Sequence, residues 1–127
     1  MNDDLDAVFI YGTLLPGQQR WPILRPFVVE QRSASVPGAL YDTGYGYPAA
    51  VFSEPGRIEG HHVTLDPRRL NEALAALDEA EAVDHGLYVR VVVESDHGPA
   101  WSYEYRGGID RVVRIGSRWR DRAEGDE

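Results

Sequence analysis

The sequence predicts an α+β domain, a mixed-sheet small barrel packed by one main helix. Three observations point there. Most of the chain divides into short β-type runs separated by Gly- and Pro-bearing turns. Only the segment opened by Asp66-Pro67 joins a helix start signal to apolar residues at helical spacing. Helices therefore do not alternate with strands, as a doubly wound parallel sheet would require.

The elements follow in order. Ala7-Val8-Phe9-Ile10-Tyr11 is an unbroken apolar run closed by Gly12, which reads as a buried strand feeding a loop over residues 12–17. Residues 21–24 suit a helical turn stopped by Pro26. Residues 27–33 and 35–41 read as two strands, the second broken at Pro37-Gly38. Residues 42–48, rich in Gly and Tyr, form a loop, residues 49–52 a short strand and Glu54-Pro55-Gly56 a turn. Residues 58–65 form a strand whose Gly60 marks a bulge or a close backbone approach.

Asp66 can cap the free N–H groups of the helix, and Pro67 suits its first position. The helix is expected over residues 68–81, with Leu70, Leu74 and Leu77 as its apolar stripe. Asp84-His85-Gly86 ends it. Residues 88–94 and 100–105 make a strand pair joined through residues 95–99, and the course of the chain beyond Gly107-Gly108 is left open.

The chain of 127 residues fits one domain, with polar ends at 1–6 and 120–127 expected to fray. It contains no cysteine, which excludes disulfides, thiolate nucleophiles and zinc–thiolate sites. Net charge is −8, which disfavours binding to a phosphate backbone, so no nucleic-acid partner is expected. No export signal and no apolar run near the ~20 residues that span a bilayer are visible, so a cytoplasmic protein without a membrane partner is expected. Charge is uneven: residues 72–84 are acidic, while residues 110–122 hold Arg111, Arg114, Arg118, Arg120 and Arg122. Nothing in the sequence determines an oligomeric state.

Glu81 carries the most information. Eleven residues at about 100° each bring a helix round to within about 20° of its start, so Glu81 falls over the stripe that Leu70 begins. A carboxyl on the core side at a helix C-terminus has its pKa raised twice, by burial and by the negative end of the helix dipole. Such a group suits general acid/base work near neutrality. The alternative is a helix that ends earlier, leaving Glu81 in a solvated acidic loop. Asp78 falls beside the stripe and Glu79 opposite it.

Tyr11-Gly12-Thr13-Leu14 can present successive backbone N–H groups as a concave anion site, or can be a simple tight turn. It lacks the spacing and lysine of a phosphate loop. Tyr41, Tyr45, Tyr47, Tyr88, Trp101, Tyr103 and Tyr105 exceed what a core needs. Tyr45 and Tyr47 can line a pocket, and Trp101, Tyr103 and Tyr105 share one strand face. His61 and His62, adjacent in a strand, point to opposite faces and cannot jointly bind a metal, so no metal site is expected. No serine sits in a nucleophile elbow.

Several of these segments together resemble the gamma-glutamylcyclotransferase-like family. Phe9-Ile10-Tyr11-Gly12-Thr13-Leu14 is similar to its strand-and-loop signature, and Leu77-Asp78-Glu79-Ala80-Glu81 with Tyr88-Val89-Arg90 to its glutamate segment. Gly44-Tyr45-Gly46-Tyr47-Pro48-Ala49, Ile58-Glu59-Gly60 and Trp101-Ser102-Tyr103 match in style, and the likeness spans residues 7–119. The family pattern has Gly after its glutamate, where this chain has Ala82.

The resemblance implies a cofactor-free enzyme of transferase or lyase type. The α-amine of a small γ-glutamyl substrate attacks its own δ-carbonyl, releasing 5-oxoproline and a free amine or amino acid. It also implies Glu81 as catalytic residue, a substrate cradle from Tyr11, Gly12, Thr13 and Leu14, and pocket tyrosines at Tyr88 and Tyr103. A non-catalytic module binding a γ-glutamyl-type ligand is the alternative. The identity of the leaving amine is not readable in the sequence.

Overall fold

In the computed structural model, residues 5–12, 14–15, 17–44, 47–81, 86–107 and 112–119 are described. The strands are β1 (Ala7–Ile10), β2 (Val28–Pro37), β3 (Ala39–Asp42), β4 (Pro48–Val51), β5 (Arg57–Leu65), β6 (Tyr88–Ser95), β7 (Gly98–Tyr105) and β8 (Val113–Arg114). The helices are α1 (Trp21–Leu24) and α2 (Leu70–Ala80). The large sheet has the order β2-β5-β1-β7-β6 and the small one β4-β3-β8. The large sheet is mixed, because β1 pairs parallel to β7 and antiparallel to β5. This is the α+β, mixed-sheet architecture the sequence predicts.

The apolar run of β1 has a direct cause: β1 is the central strand and both its faces are buried. Val8 and Ile10 join one core with Leu70, Ala73 and Leu77 of α2, while Ala7 and Phe9 join a second core with Val36, Leu40 and Ala50. Alternate side chains of one strand point to opposite faces, so two cores on two faces remove the usual alternation. Trp101, Tyr103 and Tyr105 all meet the α2-side core, as their shared parity requires.

The large sheet curls until its edge strand β2 meets the β6–β7 turn. There Asp96 Oδ1 accepts from Ser35 N at 3.1 Å, and His97 Nε2 lies 3.0 Å from Ser33 O. Closure thus runs through side chains rather than a continuous backbone ladder.

Three local expectations are corrected. Residues 28–37 form one strand rather than two, because β2 pairs with β5 along its whole length and Ala34 sits in the ladder opposite Gly60. Pro26 does not stop the helical turn, since a 3₁₀ turn continues over Arg25–Phe27 with Pro26 at an early position that needs no N–H donor. The helical segment begins as a 3₁₀ turn, Pro67–Arg69, capped by Asp66, whose carboxylate accepts from Arg68 N at 3.0 Å.

At Gly60 the close approach is real: a Cβ there would lie 2.0 Å from Ile10 O. After residue 112 the chain folds back on the body. Ile115 N donates to Leu40 O at 2.9 Å, Glu59 N to Ser117 O at 2.8 Å, and Trp119 is buried.

Candidate functional site

The site is built where β1 ends. Tyr11 follows the strand, is buried, and its hydroxyl donates to Tyr103 O at 2.5 Å, tying β1 to its parallel neighbour β7. The chain then turns at Gly12, whose carbonyl accepts from Leu15 N at 3.0 Å. Gly12 is bare because Pro48 lies on it: a Cβ would fall 2.5 Å from Pro48 Cγ and 2.9 Å from Cδ. Pro48 opens β4, and its carbonyl accepts a short hydrogen bond from the Tyr88 hydroxyl. Loop, strand opening and phenol thus hold one another.

Glu81 closes the opposite wall. It is the C-terminal cap of α2, and its N–H donates to Leu77 O at 2.9 Å, so the helical turn carries it onto the core side as the spacing predicts. Its side chain is 15% exposed, which rules out the solvated-loop alternative. Burial pushes its pKa up to about 7, and the Arg20 cation partly opposes the rise.

Arg20 was not visible as a site residue in the sequence. Its Nη1 stands 3.6 Å from Glu81 Oε2 and donates to Ala80 O at 2.5 Å. It lies sixty positions from Ala80 in the chain, and only the packing of α1 against α2 brings it here. No local pattern marks such a residue.

The phenols stay neutral donors. Burial, then the nearby Glu81 charge, raises the Tyr88 pKa, and burial first and the Asp78 hydrogen bond next raise that of Tyr103. Tyr11 is raised mainly by burial. The Tyr103 hydroxyl donates to Asp78 Oδ1 at 2.6 Å. Arg90 Nε lies 3.0 Å from the same oxygen, and its guanidinium sits 4.5 Å above the Trp101 ring. Asp78 is therefore the anchor of Tyr103, a role its position beside the stripe permits but does not announce.

Glu81, Tyr11, Gly12, Leu14, Tyr88 and Tyr103 all line one pocket, together with Tyr47 and Pro48. Thr13, Tyr45 and Ala82 lie outside the described residues. The pocket encloses only about 10 Å³, the room of about one water, so a larger ligand must part its walls. A second cleft of about 170 Å³ shares Glu81, Tyr47 and Tyr88 and runs toward Arg20 and Leu87. Chemically, the arrangement sets one carboxyl that titrates near neutrality among neutral hydroxyl donors. Such an arrangement can in chemical principle accept or donate a proton.

His61 and His62 stand elsewhere. His61 Nδ1 lies 3.0 Å from Gln31 Oε1 and His62 Nδ1 lies 2.9 Å from Ser95 Oγ, on opposite faces of β5. Among the described residues, no group of three or more His, Asp or Glu side chains could hold a metal ion, and no helix is long and apolar enough to cross a membrane. Arg114 donates to Pro55 O at 2.6 Å and Arg118 Nε to Glu59 Oε1 at 3.0 Å; neither lines the cavities beside Glu81.

A family model described as gamma-glutamyl cyclotransferase, AIG2-like, matches residues 8–121. The chain belongs to this family. The gamma-glutamylcyclotransferase family protein YtfP of Escherichia coli K12 is 31% identical over 122 residues, covering 91% of this chain and 96% of its own. The solution structure of YtfP superposes with a TM-score of 0.64 at 29% identity, over 92% of this chain and 98% of that one. The gamma-L-glutamyl-butirosin B gamma-glutamyl cyclotransferase of Niallia circulans is 32% identical over 74 residues, 58% of this chain and 44% of that protein. An uncharacterized Pyrococcus horikoshii protein shares the fold, with a TM-score of 0.73 at 22% identity over 94% and 93% of the two chains.

Proposed function

We propose that the protein is a γ-glutamyl cyclotransferase that closes the glutamyl group of its substrate into 5-oxoproline, with Glu81 carrying protons between the two nitrogens. The observation that carries this reading is the placement of Glu81: a core-side carboxyl on the wall shared by two cavities, facing the Gly12 loop. Family membership and the likeness to the butirosin B cyclotransferase support the same chemistry.

The substrate's α-ammonium cannot attack while protonated. Glu81, as carboxylate, takes one of its protons. The freed amine attacks the δ-carbonyl carbon, and a C–N bond forms. Glu81 hands that proton to the amide nitrogen and then takes a second one from the ring nitrogen. Both protons end on the departing nitrogen as the amide C–N bond breaks, so the products are 5-oxoproline and a protonated amine. A pKa near 7 lets one carboxyl accept and then donate without a large barrier in either direction. Proton transfer of this kind contributes ~10²–10⁴-fold.

The pocket supplies the rest. The attack is intramolecular, so a wall that folds the glutamyl chain into its reactive conformer removes an entropic barrier. Backbone N–H groups of the Gly12, Thr13 and Leu14 loop are the candidates for holding the substrate carboxylate or the developing oxyanion. Tyr88 and Tyr103, neutral throughout the working pH range, shape the cavity without competing for the proton.

The test is 5-oxoproline release from a panel of γ-glutamyl amino acids and γ-glutamyl amines, with Glu81→Gln alongside. Release by the wild type and its loss in the variant are expected. Full turnover by Glu81→Gln sinks the assignment of Glu81, and binding without release favours a non-catalytic module.

A further inference from the structure

We infer that the cleft between Arg20 and Leu87 is the subsite for the leaving group, and that Arg20 selects leaving groups bearing a carboxylate, so the preferred substrates are γ-glutamyl amino acids rather than γ-glutamyl amines. This rests on the cyclotransferase reading above.

Two cavities meet at a common wall of Glu81, Tyr47 and Tyr88. One runs toward Gly12 and Tyr103 and the other toward Arg20 and Leu87. If the scissile amide lies at Glu81, the two halves of the substrate occupy the two cavities. The half near the backbone loop is the glutamyl head, which parts the walls of the inner pocket as it enters, and the other half is the leaving group. The outer cleft, about 170 Å³, has the volume for a small amino acid.

The described lining of that cleft holds one cation, Arg20, among apolar and aromatic neighbours and Glu81. A guanidinium has five N–H donors in a planar fork suited to a carboxylate. One of the Arg20 donors goes to Ala80 O at 2.5 Å, which steadies the group, and Glu81 at 3.6 Å is too far for a hydrogen bond. The remaining donors can take a ligand. The reaction adds a second argument. Once Glu81 accepts a proton it no longer balances Arg20, and a carboxylate on the leaving group replaces the lost anion. A leaving group with a cationic side chain would meet Arg20 with repulsion instead.

The deciding pair is γ-glutamylalanine and γ-glutamylethylamide, which differ only in that carboxylate. Wild-type kcat/KM is expected to favour γ-glutamylalanine by about tenfold or more, the scale of a hydrogen bond to a charged group. Arg20→Gln should bring the ratio near one, and Arg20→Lys should keep part of it. Because Arg20 also acts on the Glu81 charge, both substrates will shift together in pH profile. The ratio between them removes that shared effect. Calorimetric binding of both compounds to Glu81→Gln, with and without Arg20→Gln, reads the same preference with chemistry stopped.

A ratio near one in the wild type, or one that Arg20→Gln leaves unchanged, overturns the subsite while the reaction stands. Carboxylate-dependent binding without release from either compound keeps the subsite and sinks the reaction. Neither binding nor release sinks both.

Discussion

Arg20 Nη1 and Glu81 Oε2 stand 3.6 Å apart, close enough for attraction and too far for a hydrogen bond, because Nη1 donates to Ala80 O instead. Burial therefore dominates and lifts the Glu81 pKa to about 7. The first prediction concerns activity. A base must be ionised to act, so kcat/KM should rise with pH through an apparent pKa near 7. Arg20→Gln removes the opposing cation and should move that rise to higher pH. A rise at the ordinary carboxylate pKa would contradict the burial argument.

Stability has the opposite slope. A carboxyl whose pKa is raised on folding stabilises fully below its unfolded value of 4.5 and loses that contribution as pH climbs to about 7. The loss is on the order of 3 kcal/mol. Glu81→Gln cannot ionise, so thermal melts should show the variant matching the wild type near pH 4.5 and exceeding it at pH 8. Parallel melting curves at both pH values would show that the carboxyl is not desolvated.

Gly12 and Pro48 leave no room between them, so Gly12→Ala should destabilise by roughly 1–3 kcal/mol as the Pro48 ring is pushed aside. Pro48 also carries the acceptor for Tyr88, so the pocket deforms and activity falls. Pro48→Ala in the Gly12→Ala background should recover part of the stability. A double-mutant cycle by urea denaturation measures the coupling, and strict additivity would contradict the contact.

Gly60 faces a harder obstacle, a backbone carbonyl rather than a side chain. Gly60→Ala places a Cβ 2.0 Å from Ile10 O in the β1–β5 ladder, which neither strand can yield without losing its pairing. The loss should exceed that of Gly12→Ala and surpass about 3 kcal/mol, and soluble yield and melting temperature report it.

Tyr103 and Asp78 form the last pair. Tyr103→Phe removes a donor but leaves Asp78 paired with Arg90, so about 1 kcal/mol is expected. Asp78→Ala strips Tyr103 of its acceptor and the partly exposed Arg90 of its ion-pair partner and should cost about twice as much, because Arg90 is left with its stacking on Trp101. Equal losses for the two substitutions would break this ordering.

The sequence by itself determined what repeats along the chain. The α2 stripe, the unalternating run of β1, the shared face of Trp101, Tyr103 and Tyr105 and the core-side position of Glu81 follow from periods of 3.6 and 2, and the Asp66 cap of the 3₁₀ turn before α2 follows from the Asp-Pro signal. Each is a local regularity, so a linear reading finds it. The continuity of β2 is not legible locally, because it depends on pairing with β5, which no local pattern records. Tertiary structure alone decided that Arg20 meets Glu81, that Pro48 rests on Gly12 and that Asp78 holds Tyr103. These contacts join residues far apart in the chain through the packing of α1 on α2, of β4 against β7 and of α2 on the large sheet. The pKa of Glu81 depends on the same packing, since it is set by the water excluded around the carboxyl.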